Sequence, residues 1–246
     1  MALVLRQPNR VYPRISKRLP LIDQHPIYAL TFNGIDGYVE CPVLSLNRLT
    51  LACWLKTPSP TTRWMMIMTK GDGTTTSPWE FRFYSNTGKL ALFLTADTSY
   101  GDRALTDIAI VADQWYHVAA TYNGEYVKIY INGVEHGSEA VTGDIYVKNL
   151  NTLIAARKPS APEYFFNGVI ALPCIYSRAL SPAEIQHNIH NPLNPVKNGL
   201  VLFLPMIEGS GISVTDHSGQ GNNGTLYGEV SWRELTKHEI PAAAGF

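Results

Sequence analysis

Four aromatic residues stand in or near presumed loops, where their rings can be exposed: Trp64, Trp79, Tyr100 and Tyr164. A carbohydrate site needs aromatic faces on which a sugar ring stacks, together with a few planar polar groups. We therefore take these four residues as candidate contacts for a glycan or for a protein partner. The alternative is that they anchor the core or an interface, since large aromatic side chains also serve that purpose.

The acidic residues are not arranged for glycoside hydrolysis, which needs two carboxylates roughly 5 to 10 Å apart across a cleft. No segment shows a closely alternating Glu-x-Asp-x-Glu pattern, and ordinary surface charge explains the scattered acids. These are Glu80, Asp102, Asp107 and Asp113. Neither a His-Glu-x-x-His helix nor a Gly-x-Ser-x-Gly elbow occurs in the sequence. The sequence predicts that the protein is not an enzyme and requires no cofactor.

The composition indicates a folded protein with a sizeable core. Of the 246 residues, 45% are hydrophobic and 16% are charged, which suits a single large domain. Twenty basic residues balance twenty acidic ones, so bulk nucleic-acid binding is disfavoured. Apolar runs fall far short of the roughly 20 residues of a membrane span, so we expect no membrane insertion. Cys41, Cys53 and Cys174 lie in apolar stretches and are predicted to be buried thiols.

The charge is distributed unevenly along the chain. Residues 1–20 contain five basic residues and no acidic one, so the remaining chain carries an opposite excess. The basic residues are Arg6, Arg10, Arg14, Lys17 and Arg18, which we take as candidate assembly contacts. Interspersed prolines prevent a helix, so residues 1–27 are predicted to form an extended arm. The arm either lies on its own body, on a neighbouring copy or on a polyanion, or remains a solvated tail.

The rest of the sequence predicts an antiparallel β-protein. Asn-Gly, a strong hairpin signal, occurs six times. Hydrophobicity alternates in residues 49–56 and 126–131, as in half-buried strands. Further short candidate strands cover residues 64–70, 80–84, 89–94, 114–122 and 151–156. One helix is well signalled, because Ser181-Pro-Ala-Glu184 supplies an N-cap, a first-turn proline and a capping-box glutamate. Many short strands with one helix indicate an all-β sandwich or barrel.

Four segments together resemble the laminin-G-like branch of the concanavalin A-like jelly rolls. They cover residues 30–40, 49–56, 115–122 with 127–133, and 166–185, and the likeness extends over about residues 28–190. The resemblance implies an antiparallel two-sheet β-sandwich with one short helix, and residues 28–246 are predicted to form this single domain. It leaves the ligand open, because one fold hosts many functions.

Residues 197–232 resemble the opening strands of such a domain, although here they come last. Three explanations remain open. The strands complete their own sandwich as in a circular permutant, complete a neighbouring subunit, or begin a truncated second copy. We favour completion of one sandwich, in cis or in trans, because a body without these strands would expose an unpaired sheet edge.

The resemblance also implies a candidate calcium site, since laminin-G-like domains often bind this ion through carboxylate and carbonyl oxygens. The acidic pair expected from the family is Ala171-Leu172 in this sequence, which removes the main charged ligands. Asp36, Asp216 and Asn222 remain the candidate ligands. In the alternative interpretation, Asp36 and Asp216 only close turns by hydrogen bonding.

The function expected from these observations is recognition and assembly without catalysis. The N-terminus lacks the apolar segment of a signal peptide, whereas relatives are mostly displayed outside cells. This combination predicts a virion or extracellular surface location, as a capsid decoration, fibre or tail-surface protein that contacts other copies or a shell protein. The alternative is a carbohydrate-binding lectin that recognises a cell-surface glycan, and a diverged glycosidase is a third possibility.

Overall fold

The computed structural model describes residues 26–61, 63–74, 76–96, 99–157 and 163–236 together with Glu239. For residues 99, 100 and 102 it describes the backbone alone. The first 25 residues lie outside the described part. The predicted basic arm, with its candidate assembly residues, therefore lies almost entirely outside the described residues.

The described residues form sixteen strands and one helix. The strands are β1 (Ile27–Asn33), β2 (Tyr38–Cys41), β3 (Leu49–Lys56), β4 (Met65–Lys70), β5 (Trp79–Phe83), β6 (Leu90–Ala96), β7 (Ser99–Leu105), β8 (Tyr116–Tyr122), β9 (Tyr126–Ile131), β10 (Val134–Ala140), β11 (Thr152–Ile154), β12 (Asn167–Tyr176), β13 (Leu200–Phe203), β14 (Ser213–Val214), β15 (Gly224–Tyr227) and β16 (Val230–Leu235). The helix α1 spans Pro182–His190.

The strands form two antiparallel sheets that pack face to face. The first sheet has the order β10-β9-β8-β3-β12-β1-β16, with β13 also paired to β12. The second sheet has the order β14-β15-β2-β11-β4-β5-β6-β7. Hydrophobic side chains from both sheets interdigitate in one large core. The predicted antiparallel two-sheet β-sandwich with a single short helix is confirmed.

The outer faces of the two sheets differ. In β3, Leu51 and Cys53 point into the central core, whereas Ala52 and Trp54 point outward and belong to a second cluster. Ile185 and Ile189 of α1 complete that second cluster, so the helix covers the outer face of the first sheet. Among the described residues, no helix covers the second sheet. Side chains on its outer face are therefore not covered by a helix in the described part of the chain.

Local sequence explains the sharpest turns and the helix start. Asn132 and Gly133 both adopt positive φ angles, 50° and 78°, as the tight hairpin between β9 and β10 requires. At the start of α1, the Ser181 side chain accepts a hydrogen bond from the Glu184 N–H, and the Glu184 side chain accepts one from the Ser181 N–H. The predicted capping box is thus formed.

The C-terminal strands pair within the same chain. Strand β16 runs antiparallel to β1 from Val230 to Leu235, β15 pairs with β2, and β13 pairs with β12. Residues 200–235 therefore contribute strands to both sheets of the sandwich.

Three smaller findings complete the fold. Cys41, Cys53 and Cys174 are free and buried, as expected. Burial raises the pKa of the Cys41 and Cys174 thiols to about 12. Within the described part of the chain, no helix has the length and apolar character needed to span a membrane.

Candidate functional site

A pocket of about 300 Å³ lies on the outer face of the second sheet. Strand β5 supplies its floor, because Trp79, Phe81 and Phe83 point into the core and leave Glu80 and Arg82 facing outward. The neighbouring strands add further lining residues, Met66 from β4 and Phe93 from β6. The period-2 alternation of the strands therefore places an acid, a base and two apolar side chains on one surface.

Two connections bring aromatic and charged residues to the rim. Trp64 directly precedes β4, and Tyr164 follows a pair of backbone hydrogen bonds between Arg157 and Glu163, at 3.1 and 3.0 Å. The Tyr164 carbonyl accepts a hydrogen bond from the Met66 N–H at 3.0 Å. Tyr164 has a φ of 53°, a backbone angle that is disfavoured for a residue with a bulky side chain. Residues with such angles are found most often at functional sites.

An ion-pair network joins the floor of the pocket to its rim. Glu80 Oε2 accepts a hydrogen bond from Arg82 Nη1 at 2.5 Å and another from Arg157 Nη1 at 3.4 Å. Arg157 Nη2 donates to Glu163 Oε1 at 2.7 Å. Burial lowers the pKa of the Arg157 guanidinium, but the nearby charges of Glu80 and Glu163 outweigh burial and raise it. The carboxylates therefore hold both guanidinium groups in fixed positions.

Each guanidinium also lies over aromatic rings. The Arg82 guanidinium carbon is 4.3 Å from the Trp64 ring centroid and 5.2 Å from that of Phe93. The Arg157 guanidinium carbon is 4.5 Å from the Tyr164 ring centroid. Such cation–π contacts restrict the rings, so the aromatic surface of the pocket is pre-organised.

The pocket combines the groups that recognise a small polar ligand with an apolar face. Its volume lies at the lower end of the range for ligand pockets, and its lining mixes aromatic rings with a few fixed polar groups. Thr74 and Gly73 also line it. This arrangement can stack a ring and bind hydroxyl groups at the same time.

The structure places the four predicted aromatic contacts in different environments. Trp64 and Tyr164 line the same pocket. Trp79 is fully buried in the core as the first residue of β5, so its proposed exposure in a loop was wrong. Tyr100 lies on β7, but its side chain is outside the described atoms and its role stays a prediction.

Sequence reasoning missed the charged half of the pocket. Glu80 was taken as ordinary surface charge, but it is only 1% exposed and lies at the centre of the ion-pair network. The available signal was Glu80-x-Arg82 within an aromatic strand, which places two opposite charges on one face. No local sequence pattern could have paired these two residues with Arg157, because Arg157 lies 77 residues from Glu80 in the sequence.

The candidate calcium ligands do not form one site. Asp216 Oδ1 accepts hydrogen bonds from the Phe203 and Ser218 N–H groups, both at 2.9 Å. Asp216 Oδ2 accepts from Ser218 Oγ at 2.7 Å and from the Asn222 N–H at 2.9 Å. Burial raises the pKa of Asp216, but these hydrogen bonds outweigh it and lower the pKa overall. Both oxygens are thus engaged, and few lone pairs remain for a cation.

The third candidate, Asp36, lies elsewhere. Its Oδ1 accepts hydrogen bonds from Asn33 Nδ2 at 2.8 Å and from the Glu229 N–H at 3.1 Å, and these lower its pKa. Glu229 follows the end of β15, whereas Asn222 precedes its beginning, so the strand separates Asp36 from Asp216. Within the described ranges, no group of three or more His, Cys, Asp or Glu residues could hold a metal ion. The three residues therefore do not fit a shared calcium site.

Comparisons of structure give the same sandwich in other proteins. A Bacteroides ovatus protein whose assignment to carbohydrate binding is provisional superimposes with a TM-score of 0.67 at 19% identity, covering 86% of this chain and 60% of its own. This chain thus spans less than two thirds of that protein. A heptameric SAP-like pentraxin from Limulus polyphemus gives a TM-score of 0.58 at 16% identity, covering 87% of this chain and 97% of its own.

A third structure is the enzymatically active domain of tailspike protein 2 of bacteriophage CBA120. It gives a TM-score of 0.55 at 15% identity, covering 72% of this chain and 31% of its own. At these identities the likenesses show the fold alone. No curated protein sequence matches the chain. The laminin G type family model of the concanavalin A-like lectin/glucanases superfamily matches residues 33–186. Because that match spans more than half of the sequence, the chain belongs to the concanavalin A-like lectin/glucanases superfamily.

Proposed function

We propose that this protein is a non-catalytic carbohydrate-binding module whose site is the pocket around Trp64 and Tyr164. One observation carries the proposal. Two aromatic residues that the sequence singled out as glycan contacts lie 100 positions apart, yet they line one pocket together with paired arginine and glutamate side chains. The provisional carbohydrate assignment of the Bacteroides ovatus protein agrees with it.

Binding of a sugar in this pocket is expected because a sugar ring has both an apolar face and polar hydroxyl groups. Its C–H face is apolar and packs on an aromatic ring, while its hydroxyl groups need donors and acceptors in fixed positions. Trp64 and Tyr164 supply the rings, and the Arg157 and Glu163 side chains supply the polar groups at the rim. Since ion pairs and cation–π contacts already hold these side chains, little conformational entropy is lost on binding.

The same contacts argue for binding without hydrolysis. A glycosidase needs one carboxylic acid that gives a proton and a second carboxylate that acts on the sugar or on water. Among the described side chains that line the pocket, Glu80 carries the one carboxylate, and Glu163 lies beside it. Both carboxylates accept hydrogen bonds from Arg157. Their geometry serves to orient a guanidinium group.

A glycan array probed with the purified protein tests this function. We expect binding that falls at least about tenfold in Trp64→Ala and in Tyr164→Ala, because each loses a stacking face. Tyr126→Ala is the matched control, since Tyr126 is similarly exposed but lies on the first sheet. Absence of glycan binding, or an equal loss in all three variants, would overturn the proposal.

A second candidate function is assembly on a particle surface, and with it we propose a location on a virion or extracellular surface. The five basic residues of the first 20 and the acidic excess of the rest support it, since they favour contact between the arm and a neighbouring copy or shell protein. The tailspike domain of bacteriophage CBA120 shows that a phage protein uses the same fold. Mass spectrometry of purified particles tests this function: high copy number supports it, and absence from every particle contradicts it.

A further inference from the structure

The described charged side chains around the pocket form balanced pairs. Among the described side chains that line or touch it, two guanidinium groups, Arg82 and Arg157, are joined by hydrogen bonds to two carboxylates, Glu80 and Glu163. The loop beside the pocket is balanced in the same way, because Lys148 pairs with Asp72. Among these described side chains the charges cancel, and the polar atoms remain able to form hydrogen bonds.

The two carboxylates, Glu163 and Glu80, differ in their burial and in their place relative to the pocket. The Glu80 side chain is 2% exposed and forms part of the floor, whereas that of Glu163 is 38% exposed at the rim. The Glu163 carboxylate makes the shorter contact to Arg157, 2.7 Å against 3.4 Å for Glu80. It therefore occupies the Nη2 side of the Arg157 guanidinium at the rim of the pocket.

The surrounding backbone keeps this ion pair in place. Arg157 and Glu163 are linked by two backbone hydrogen bonds, and the Tyr164 ring lies against the guanidinium. Gly73 approaches so closely that an added Cβ would lie 3.2 Å from Glu163 Oε1 and 3.4 Å from Arg157 Nη2. A side chain at position 73 would crowd the pair, and the φ of +79° there also favours glycine.

We propose that Glu163 makes the pocket selective for neutral sugars and excludes those that carry a carboxylate. This inference rests on the proposed function and names its ligand class. A uronic or sialic acid would need its carboxylate on Arg157, the natural bidentate partner. Glu163 already fills that place, and the charges of Glu163 and Glu80 repel a second anion. Neutral hydroxyl groups suffer no such repulsion and accept hydrogen bonds from the same guanidinium.

Matched pairs of oligosaccharides that differ only at C6 test the proposal. The probes are oligomers of glucose and glucuronic acid, of galactose and galacturonic acid, and of mannose and mannuronic acid. We expect the unaltered protein to bind a neutral member and to discriminate against its acidic counterpart. In Glu163→Gln, the ratio of acidic to neutral affinity should rise at least about tenfold, as expected for one charge-assisted hydrogen bond.

Two further variants separate specificity from general damage. Glu135→Gln is the control, because Glu135 is 39% exposed and pairs with Lys128 on the first sheet, so its affinity ratio should not change. Arg157→Gln added to Glu163→Gln should abolish the acquired acidic binding. Selectivity that stays the same in Glu163→Gln, or equal binding of both sugar classes by the unaltered protein, overturns this inference and leaves the proposed function standing. Absence of binding to every glycan overturns both.

Discussion

The Arg82 guanidinium carbon lies 4.3 Å from the centroid of the Trp64 ring. Arg82 belongs to β5, whereas Trp64 lies in the connection before β4, so this contact fixes a connecting segment to the sheet. Glu80 Oε2 accepts a hydrogen bond from Nη1 of the same guanidinium at 2.5 Å. The orientation of the Trp64 ring therefore depends on a buried carboxylate in the floor of the pocket.

Replacing that carboxylate should be costly. In Glu80→Gln, two guanidinium groups lose their shared counter-charge in a buried position, and we expect a loss of about 3 kcal/mol in the free energy of unfolding. Urea denaturation measures the loss. The control is Asp144→Asn, since Asp144 is 68% exposed in its pair with Arg48, and this variant should lose less than about 1 kcal/mol. Equal losses in the two variants would show that the Glu80 network does not stabilise the fold.

The buried imidazole of His117 should make stability depend on pH. Burial lowers its pKa from 6.5 to about 3, so the folded protein keeps the ring neutral where the unfolded chain binds a proton. Stability is therefore fully present above pH 6.5 and declines as pH falls toward the folded pKa, by about 1.4 kcal/mol per pH unit.

Denaturant titrations between pH 6.5 and pH 5 measure this slope, because few carboxylates titrate in that interval. His117→Gln should remove it, whereas His190→Gln, at the exposed end of α1, should retain it. A slope that persists in His117→Gln would assign the effect to another group.

Removing the N-cap of α1 should change the stability of the protein by a smaller amount. Ser181→Ala removes the acceptor for the Glu184 N–H, and we expect a loss of about 1 kcal/mol in the free energy of unfolding. Thermal or urea unfolding gives the value. A loss in Ser181→Ala no larger than in Ser177→Ala, an exposed serine outside the cap, would contradict a stabilising role for the capping box.

We also propose that residues 28–246 form one domain whose C-terminal strands act in cis. Removing residues 197–246 deletes β13 to β16 and exposes the edges of β1 and β2. It also removes the fully buried Leu202, Leu204 and Met206 from the core. We expect the truncated protein to lose its cooperative unfolding transition. Retention of that transition with an unchanged midpoint would show that the tail is a separate unit.

Periodicity and turn chemistry made much of the fold predictable. The alternation in residues 49–56, the Asn132-Gly133 hairpin and the capping box at Ser181 are local signals, and each lies in the expected element. Trp79 shows where this reasoning fails. The strand begins at Trp79, one residue earlier than predicted, and that residue points into the core.

The site was predictable only in part, because its two halves have different origins. Trp64 and Tyr164 could be recognised one at a time as aromatics in loops. The ion pairs of Arg157 with Glu80 and Glu163 depend on strand order and on a rim connection that no local pattern encodes. The pairing of β15 and β16 within the chain likewise depends on which edge strands of the two sheets lack a partner. The sequence alone therefore could not decide between pairing within the chain, pairing with a neighbouring subunit and a truncated second copy.

A crystal structure with the best-binding neutral oligosaccharide shows whether the sugar lies in the pocket around Trp64 and Tyr164. We predict one sugar ring within about 4 Å of the Trp64 and Tyr164 side chains, with hydroxyl groups bonded to the Arg157 side chain. A sugar bound instead at the Asp36 and Glu229 turn, with the pocket empty, would contradict the account.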